Sequence, residues 1–190
     1  MTNSSYPNIK QLTINVLSSY SEFKTLKECR RNFIISVLIC FSSIKGKINF
    51  LQLERFSDKC EQYFRINFEN KFNFQGLNLA MIKERVSECI VAFAPSYIPK
   101  SGKKTYGLGM YWSGCAGKPQ WGLDICGFAA VDTKLNTAFH LNAFQTPKSK
   151  ETNLLHYYCQ LIKENYLYFK ELTTYMVADS FFAKVTVRLK

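Results

Sequence analysis

Lysines and aromatic side chains interleave in a stretch of the chain that contains no acidic residue, between Glu88 and Asp124. Ammonium groups can neutralise phosphates, and aromatic rings can support bases or sugars, so this composition is typical of a nucleic-acid surface. A solvated hairpin whose aromatic rings belong to the core fits the composition equally well. The residues are Lys100, Lys103, Lys104 and Lys118, with Tyr97, Tyr106, Tyr111, Trp112 and Trp121.

A single carboxylate is the second candidate for chemistry. Asp179 follows the short apolar run Met176–Ala178, and an acid at the carboxyl end of a strand can coordinate a divalent cation. Strand-end aspartates also cap turns and helices, so this residue alone does not indicate a metal site.

Short motifs exclude two other functions. "SGKKT" is not a phosphate-binding loop, because that motif requires glycine where Tyr97 stands and serine or threonine where Lys104 stands. "GLGMYWSG" lacks the third glycine of a dinucleotide-binding loop, since Trp112 occupies its position. The two histidines, His140 and His156, have no nearby partner that would complete a metal site.

The charge and cysteine content of the chain indicate an intracellular protein that binds a polyanion. The formal net charge is +11, and the basic excess is shared by both halves of the chain, which favours nucleic acid as a partner. The seven cysteines are scattered and form no CxxC pair, so we expect reduced thiols in a cytoplasmic protein. The longest apolar run, Phe33–Phe41, is far shorter than the about 20 residues that span a bilayer, and we expect no membrane contact.

Helical patterns dominate the first part of the chain. We predict one helix over 23–44 and two short amphipathic helices over 49–68, with Ser57 as the N-cap of the second. The short pair is either a helix-turn-helix element or two helices that simply pack together. "ENKFNFQGLN", around Gly76, resembles a connector, which places the domain boundary near 72–88.

Extended patterns follow the connector. The sequence predicts strands over 89–94, 106–113, 121–131 and 137–145, then a helix with Leu154, Leu155, Tyr158, Leu161, Ile162 and Phe169 on one face, and a last strand at 176–178. Pro95 and Pro99 are expected to end the first strand. A helix between strands usually sets the last strand parallel to an earlier one. The lysine-rich loop that follows Ala94 and the carboxylate of Asp179 would then lie at the same edge of a mixed sheet, where ligands gather.

Three segments, in this order, carry a resemblance to a known family: "AFAPSYIPKSGKKTYGLGMYWSGCAGKPQWGLDICGFAAVD", "TAFHLNAFQTP" and "YMVADSFF". They resemble the catalytic domain of DDE insertion-sequence transposases. "RRNFIISVLICFSSIKGKINFLQLERFS" is similar to the helical segment that precedes that domain. The resemblance implies an α/β chain with a helical N-terminal region over 1–85, a candidate for DNA binding, and an incomplete ribonuclease H-like mixed sheet over 86–190.

The same resemblance implies what the site would hold. In this family two aspartates and a glutamate bind two divalent ions, Mg²⁺ or Mn²⁺, for DNA strand cleavage and transfer. The first aspartate falls at Ala94, the second matches Asp179, and the third acid would lie beyond residue 190. The resemblance therefore implies a transposase-derived chain that binds these ions poorly and is inactive in cleavage by itself.

The implied partner is DNA at transposon ends, in the nucleoid of the cytoplasm. Lys100, Lys103, Lys104, Lys118, Tyr97 and Tyr106 are the expected contacts. The chain is also expected to pair with itself or with intact transposase. Two alternatives stay open: a regulator that occupies DNA ends or inhibits intact transposase, and a decayed reading frame whose product folds poorly.

Overall fold

The computed structural model describes residues 5–147, 153–179 and 182, and it divides the chain into two compact units, Met1–Met81 and Ile82–Lys190. Helices build the first unit and a sheet with one helix builds the second, so the chain is α/β, as predicted. In the described residues, no helix is both long and apolar enough to cross a membrane. The helices up to the unit boundary are α1 (Ser5–Ser18), α2 (Ser21–Thr25), α3 (Glu28–Ser43), α4 (Phe50–Arg55), α5 (Glu61–Phe68) and α6 (Phe74–Lys83).

The single helix predicted over 23–44 is wrong, because the chain is extended at Leu26 and Lys27, between α2 and α3. Glu28 lies in the first turn of α3, where a negative charge interacts favourably with the helix dipole. The acidic residue in the first turn indicates that a new helix starts at Glu28. The sequence prediction missed this start because the segment contains no proline or glycine to mark a break.

The N-cap predicted at Ser57 is also wrong. Its hydroxyl accepts a hydrogen bond from the Lys59 amide (3.2 Å) inside the turn between α4 and α5. The true side-chain cap in this region is Asn49, whose Oδ1 accepts from the Gln52 amide (2.9 Å) at the start of α4. A serine that bonds to the backbone two residues later forms a local turn in place of a cap.

Helices α4 and α5 contribute to the core of the first unit. Leu53 and Phe64 are almost completely buried, and Phe64 packs against Phe33 of α3 at a ring-centroid distance of 6.3 Å. On the outer side of α5, Arg65 pairs with Glu61 and lies 4.8 Å from the centre of the Phe50 ring. These contacts favour the packing interpretation of the pair, and a helix-turn-helix function stays a prediction.

The connector predicted around Gly76 is helical, since this residue lies in the first turn of α6. Its amide donates to Oδ1 of Asn73 (2.9 Å), which acts as the cap. A Cβ on Gly76 would lie 2.4 Å from the Tyr20 hydroxyl, and that hydroxyl donates to Glu22 (2.6 Å). The glycine is therefore needed for close packing against a hydrogen-bonded cluster, not for a flexible link.

The second unit is a five-stranded mixed sheet. Strand β3 is central and antiparallel to β1, β2 and β4, and β5 is parallel to β1. Gly122 of β3 pairs with both Pro99 and Gly109, so β2 lies on the side of β3 away from β1, in line with β4. The elements are β1 (Cys89–Pro99), β2 (Gly109–Ser113), β3 (Lys118–Asp132), β4 (Thr137–Gln145), α7 (Leu154–Phe169) and β5 (Met176–Ala178).

The first strand does not end at Ala94, because it continues through Pro95 to Pro99. The Val91 amide donates to the Tyr175 carbonyl (3.0 Å) beside β5, so every second nitrogen of β1 points away from β3. Pro95 and Pro99 belong to this set. Neither proline removes a hydrogen bond to β3, which is why the strand tolerates both.

Helix α7 covers one face of the sheet. Phe128 of β3 lies 4.8 Å from both Phe93 of β1 and Phe169 of α7, measured between ring centroids. The apolar face predicted for this helix is confirmed at Tyr158, Leu161, Ile162 and Phe169, whereas Leu154 is exposed.

Thiol reactivity should follow this burial. All seven cysteines are unpaired, and burial raises the pKa of the Cys126 thiol to about 12. Because the thiolate is the reactive form, we expect an alkylating reagent near neutral pH to modify Cys29, Cys60 and Cys115 quickly and Cys126 only after denaturation. Peptide mass spectrometry of the native and unfolded protein checks this. Equal modification rates at Cys115 and Cys126 in the native protein would contradict the buried position of β3.

Candidate nucleic-acid interface

The loop between β1 and β2, here called the basic loop (residues 100–108), is held to the sheet at two points. Nε1 of Trp121 donates to the Gly102 carbonyl (3.4 Å), and Nε2 of Gln145 donates to the Tyr106 carbonyl (2.7 Å). Gly107 has a positive φ of 77°, and a Cβ there would lie 2.3 Å from Nε2 of Gln145. These contacts fix the course of the loop across the ends of β3 and β4.

The lysines of the loop are exposed and available to a ligand. Lys100, Lys103 and Lys104 are all exposed, as is Lys118 at the start of β3. None of these four takes part in the ion pairs found among the described residues. By contrast, Lys134 pairs with Glu88 at 3.3 Å. The four unpaired ammonium groups create a positive potential that attracts polyanions.

Aromatic and apolar side chains lie exposed on the same face of β2 and β3. Met110 pairs directly with Trp121, and Trp112 pairs with Pro119. Because side chains alternate between faces, these four residues share one face, and we call them the aromatic ridge. The exposed fractions are 61% for Met110, 65% for Trp112 and 44% for Trp121, and Pro119 is also exposed.

The remaining aromatic candidates divide between surface and core. Tyr106 is 74% exposed at the base of the basic loop. Tyr111 is buried, and its hydroxyl donates to the Gly107 carbonyl (2.9 Å). The Tyr97 hydroxyl donates to the Trp121 carbonyl (2.8 Å), which ties β1 to β3. Tyr111 therefore belongs to the core, whereas Tyr106 and the aromatic ridge are exposed to solvent. The Tyr97 hydroxyl is used in a structural hydrogen bond.

Ala94 and Asp179 lie next to each other on neighbouring strands. The parallel register pairs Phe93 with Ala178, so residues 94 and 179 are the next pair in line. Phe93 faces α7 through its contacts with Phe128 and Tyr158. Ala94, one position further along β1, therefore faces the opposite side and is exposed, and Asp179, directly after the end of β5, is exposed as well.

The donor set at this pair does not fit a divalent metal ion. Mg²⁺ and Mn²⁺ prefer several oxygen ligands, and the pair offers one carboxylate and one methyl group. Across the part of the chain that the structure describes, no three His, Cys, Asp or Glu side chains are placed to hold an ion.

A buried carboxylate, Asp124, was not singled out by the sequence patterns. Its Oδ2 accepts hydrogen bonds from the hydroxyls of Tyr158 (2.8 Å) and Thr146, and its backbone carbonyl accepts from the Thr146 amide (2.9 Å). Burial, followed by this hydrogen bond, raises the pKa of the Tyr158 hydroxyl. A single acid inside the otherwise apolar run 121–131 was the available signal. The cluster joins β3, the segment after β4 and α7, so it holds the helix on the sheet.

Comparison of the chain with protein-family models, with curated proteins and with solved structures found no match.

Proposed function

We propose that the chain binds DNA through the basic loop and the aromatic ridge, and that it derives from a DDE insertion-sequence transposase but does not cleave DNA by itself. The observation that carries the DNA-binding proposal is the set of three unpaired lysines on the basic loop, held by Trp121 beside the exposed ridge. Phosphate contacts supply most sequence-independent affinity for DNA, and aromatic faces add contacts to bases or sugars. No acidic residue interrupts this surface between positions 89 and 123.

The order of the strands supports the ribonuclease H-like part of the proposal. Strands β1, β3 and β4 form an antiparallel set, α7 crosses over, and β5 returns parallel to β1. In the transposases that the sequence resembles, the first two acids lie on neighbouring strand ends. Positions 94 and 179 directly follow the paired residues Phe93 and Ala178 here, although β1 continues past position 94 to Pro99. The alanine at position 94 supports a chain without metal-dependent cleavage.

The same proposal also predicts protein partners for the chain. We place the chain with DNA in the cytoplasm, paired with itself or with intact transposase. A chain that occupied transposon ends without cutting them would compete with the active enzyme for its substrate.

The test measures, by fluorescence anisotropy, how tightly the chain binds a labelled DNA duplex at a series of salt concentrations. The logarithm of the binding constant falls with the logarithm of salt concentration by about 0.9 per neutralised phosphate. Replacement of Lys100, Lys103 and Lys104 by alanine is expected to weaken binding and to reduce the slope by up to about 0.9 for each lysine.

A control with the same net charge separates local contacts from overall charge. Lys83, Lys134 and Lys163 are lysines of the second unit outside the basic loop, and two of them are ion-paired. Alanine at these three positions should leave the slope nearly unchanged. Equal losses in both triple variants, or no binding of the folded protein to either duplex or single-stranded DNA at low salt, would refute the proposal.

A further inference from the structure

We propose that the aromatic ridge takes unpaired bases, so that the preferred ligand is single-stranded DNA. This inference rests on the proposed DNA binding and names the form of DNA. Exposed aromatic faces on a rigid strand pair can stack on a base only when that base is not already stacked within a duplex. The ridge offers such faces at Trp112 and Trp121, with Met110 and Pro119 beside them.

The spacing of the ridge suits bases inserted between side chains. Met110 and Trp112 lie two residues apart on β2, which corresponds to about 6.8 Å along a strand. That distance is about twice the 3.4 Å rise per nucleotide of a stacked strand, so it leaves room for one base between the two side chains. Pro119 and Trp121 repeat the same spacing on β3.

The chemistry of the ridge argues against reading a duplex. Base edges in the grooves are recognised by side-chain donors and acceptors. Met110 and Pro119 offer no donor, and the indole N–H of Trp121 already donates to the Gly102 carbonyl (3.4 Å). The ridge therefore provides flat apolar surface and few groups for hydrogen bonds to base edges.

Positive charge is placed at one end of the ridge, where the bond from Trp121 to Gly102 holds the loop segment that contains Lys103 and Lys104. Lys118 is exposed near the other end, but it alternates with Pro119 and therefore faces the opposite side of the sheet. A strand whose bases stack on the ridge could have its phosphates neutralised by the lysines of the basic loop, and this charge complementarity identifies the ligand as a polyanion with exposed bases.

Intrinsic fluorescence reports directly on this surface, because Trp112 and Trp121 are the two tryptophans of the chain. We expect oligodeoxythymidylate to quench the tryptophan emission of the full chain and to bind more tightly than a blunt duplex with the same number of nucleotides. Trp112→Ala is expected to weaken binding of the oligonucleotide by about tenfold, since stacking contributes substantially per base. Trp112→Phe should retain most of the affinity.

Tyr168→Ala is the matched control, because Tyr168 is a half-exposed aromatic residue on α7, away from the ridge. Affinities are measured by anisotropy of labelled DNA, and thermal unfolding confirms that each variant is folded. Equal or tighter binding of the duplex, without dependence on Trp112, would overturn this inference and leave the proposed DNA binding in place. Failure to bind either form at low salt would overturn both.

Discussion

An Ala94→Asp variant is expected to bind Mn²⁺ in a saturable manner that the parent chain does not show. Neighbouring strands lie about 4.8 Å apart, and positions 94 and 179, both exposed, directly follow the paired residues Phe93 and Ala178. Two carboxylates at this separation can both reach one divalent ion, which prefers oxygen ligands. Water-proton relaxation or calorimetric titration with Mn²⁺ alone measures the change.

Two further variants make this result specific. Ser96→Asp adds the same charge to the same side of β1, two residues beyond Ala94, and should not create the site. Asp179→Asn in the Ala94→Asp background should abolish it. If Ala94→Asp binds no more Mn²⁺ than Ser96→Asp, the proposed descent of this strand pair from a metal-binding site loses its support.

Phe128→Ala is expected to lower the free energy of unfolding of the second unit by about 3–5 kcal/mol, the usual cost of removing a buried phenylalanine ring. Phe128 is completely buried and packs at 4.8 Å against Phe93 and Phe169, so its loss leaves a cavity between the sheet and α7. Urea unfolding followed by tryptophan emission measures the effect, since both tryptophans belong to this unit.

Leu167→Ala provides the comparison, because Leu167 is a 70% exposed apolar residue of α7. Surface substitutions of this kind usually change stability by less than about 0.5 kcal/mol. A cooperative transition in the parent chain would also exclude the decayed reading frame that folds poorly. Equal effects of the two substitutions would mean that the packing around Phe128 is not the core of this unit.

Periodic patterns were sufficient for the main elements of the second unit. The extended pattern over 121–131 and the apolar face of α7 are local properties, so the sequence predicted both β3 and the helix. The direction in which a proline nitrogen points relative to the neighbouring strands is not determined by the local sequence. Whether Pro95 ends β1 depends on which side of the strand β3 occupies, and that is known only from the fold.

The candidate interface was predictable in composition but not in arrangement. The sequence identified lysines and aromatic residues, yet the division between the buried Tyr111 and the exposed Trp112 follows from the register of β2 against β3. Asp124 was missed for a similar reason. Its partners Thr146 and Tyr158 are distant in sequence, so a buried carboxylate and an exposed one look alike until the strands are assembled.

The position of Pro95 and Pro99 also affects how the protein meets other copies of itself. Unpaired strand edges are templates on which another chain can add a strand and start aggregation. Strand β1 pairs with β5 along one side as far as Phe93. Beyond Phe93, two backbone nitrogens on that side carry no hydrogen, because they belong to Pro95 and Pro99. A strand added there would lack two of the donors of a regular ladder. Among the residues that the structure describes, no strand pairs with this side of β1 beyond Phe93, and the prolines there disfavour intermolecular strand addition.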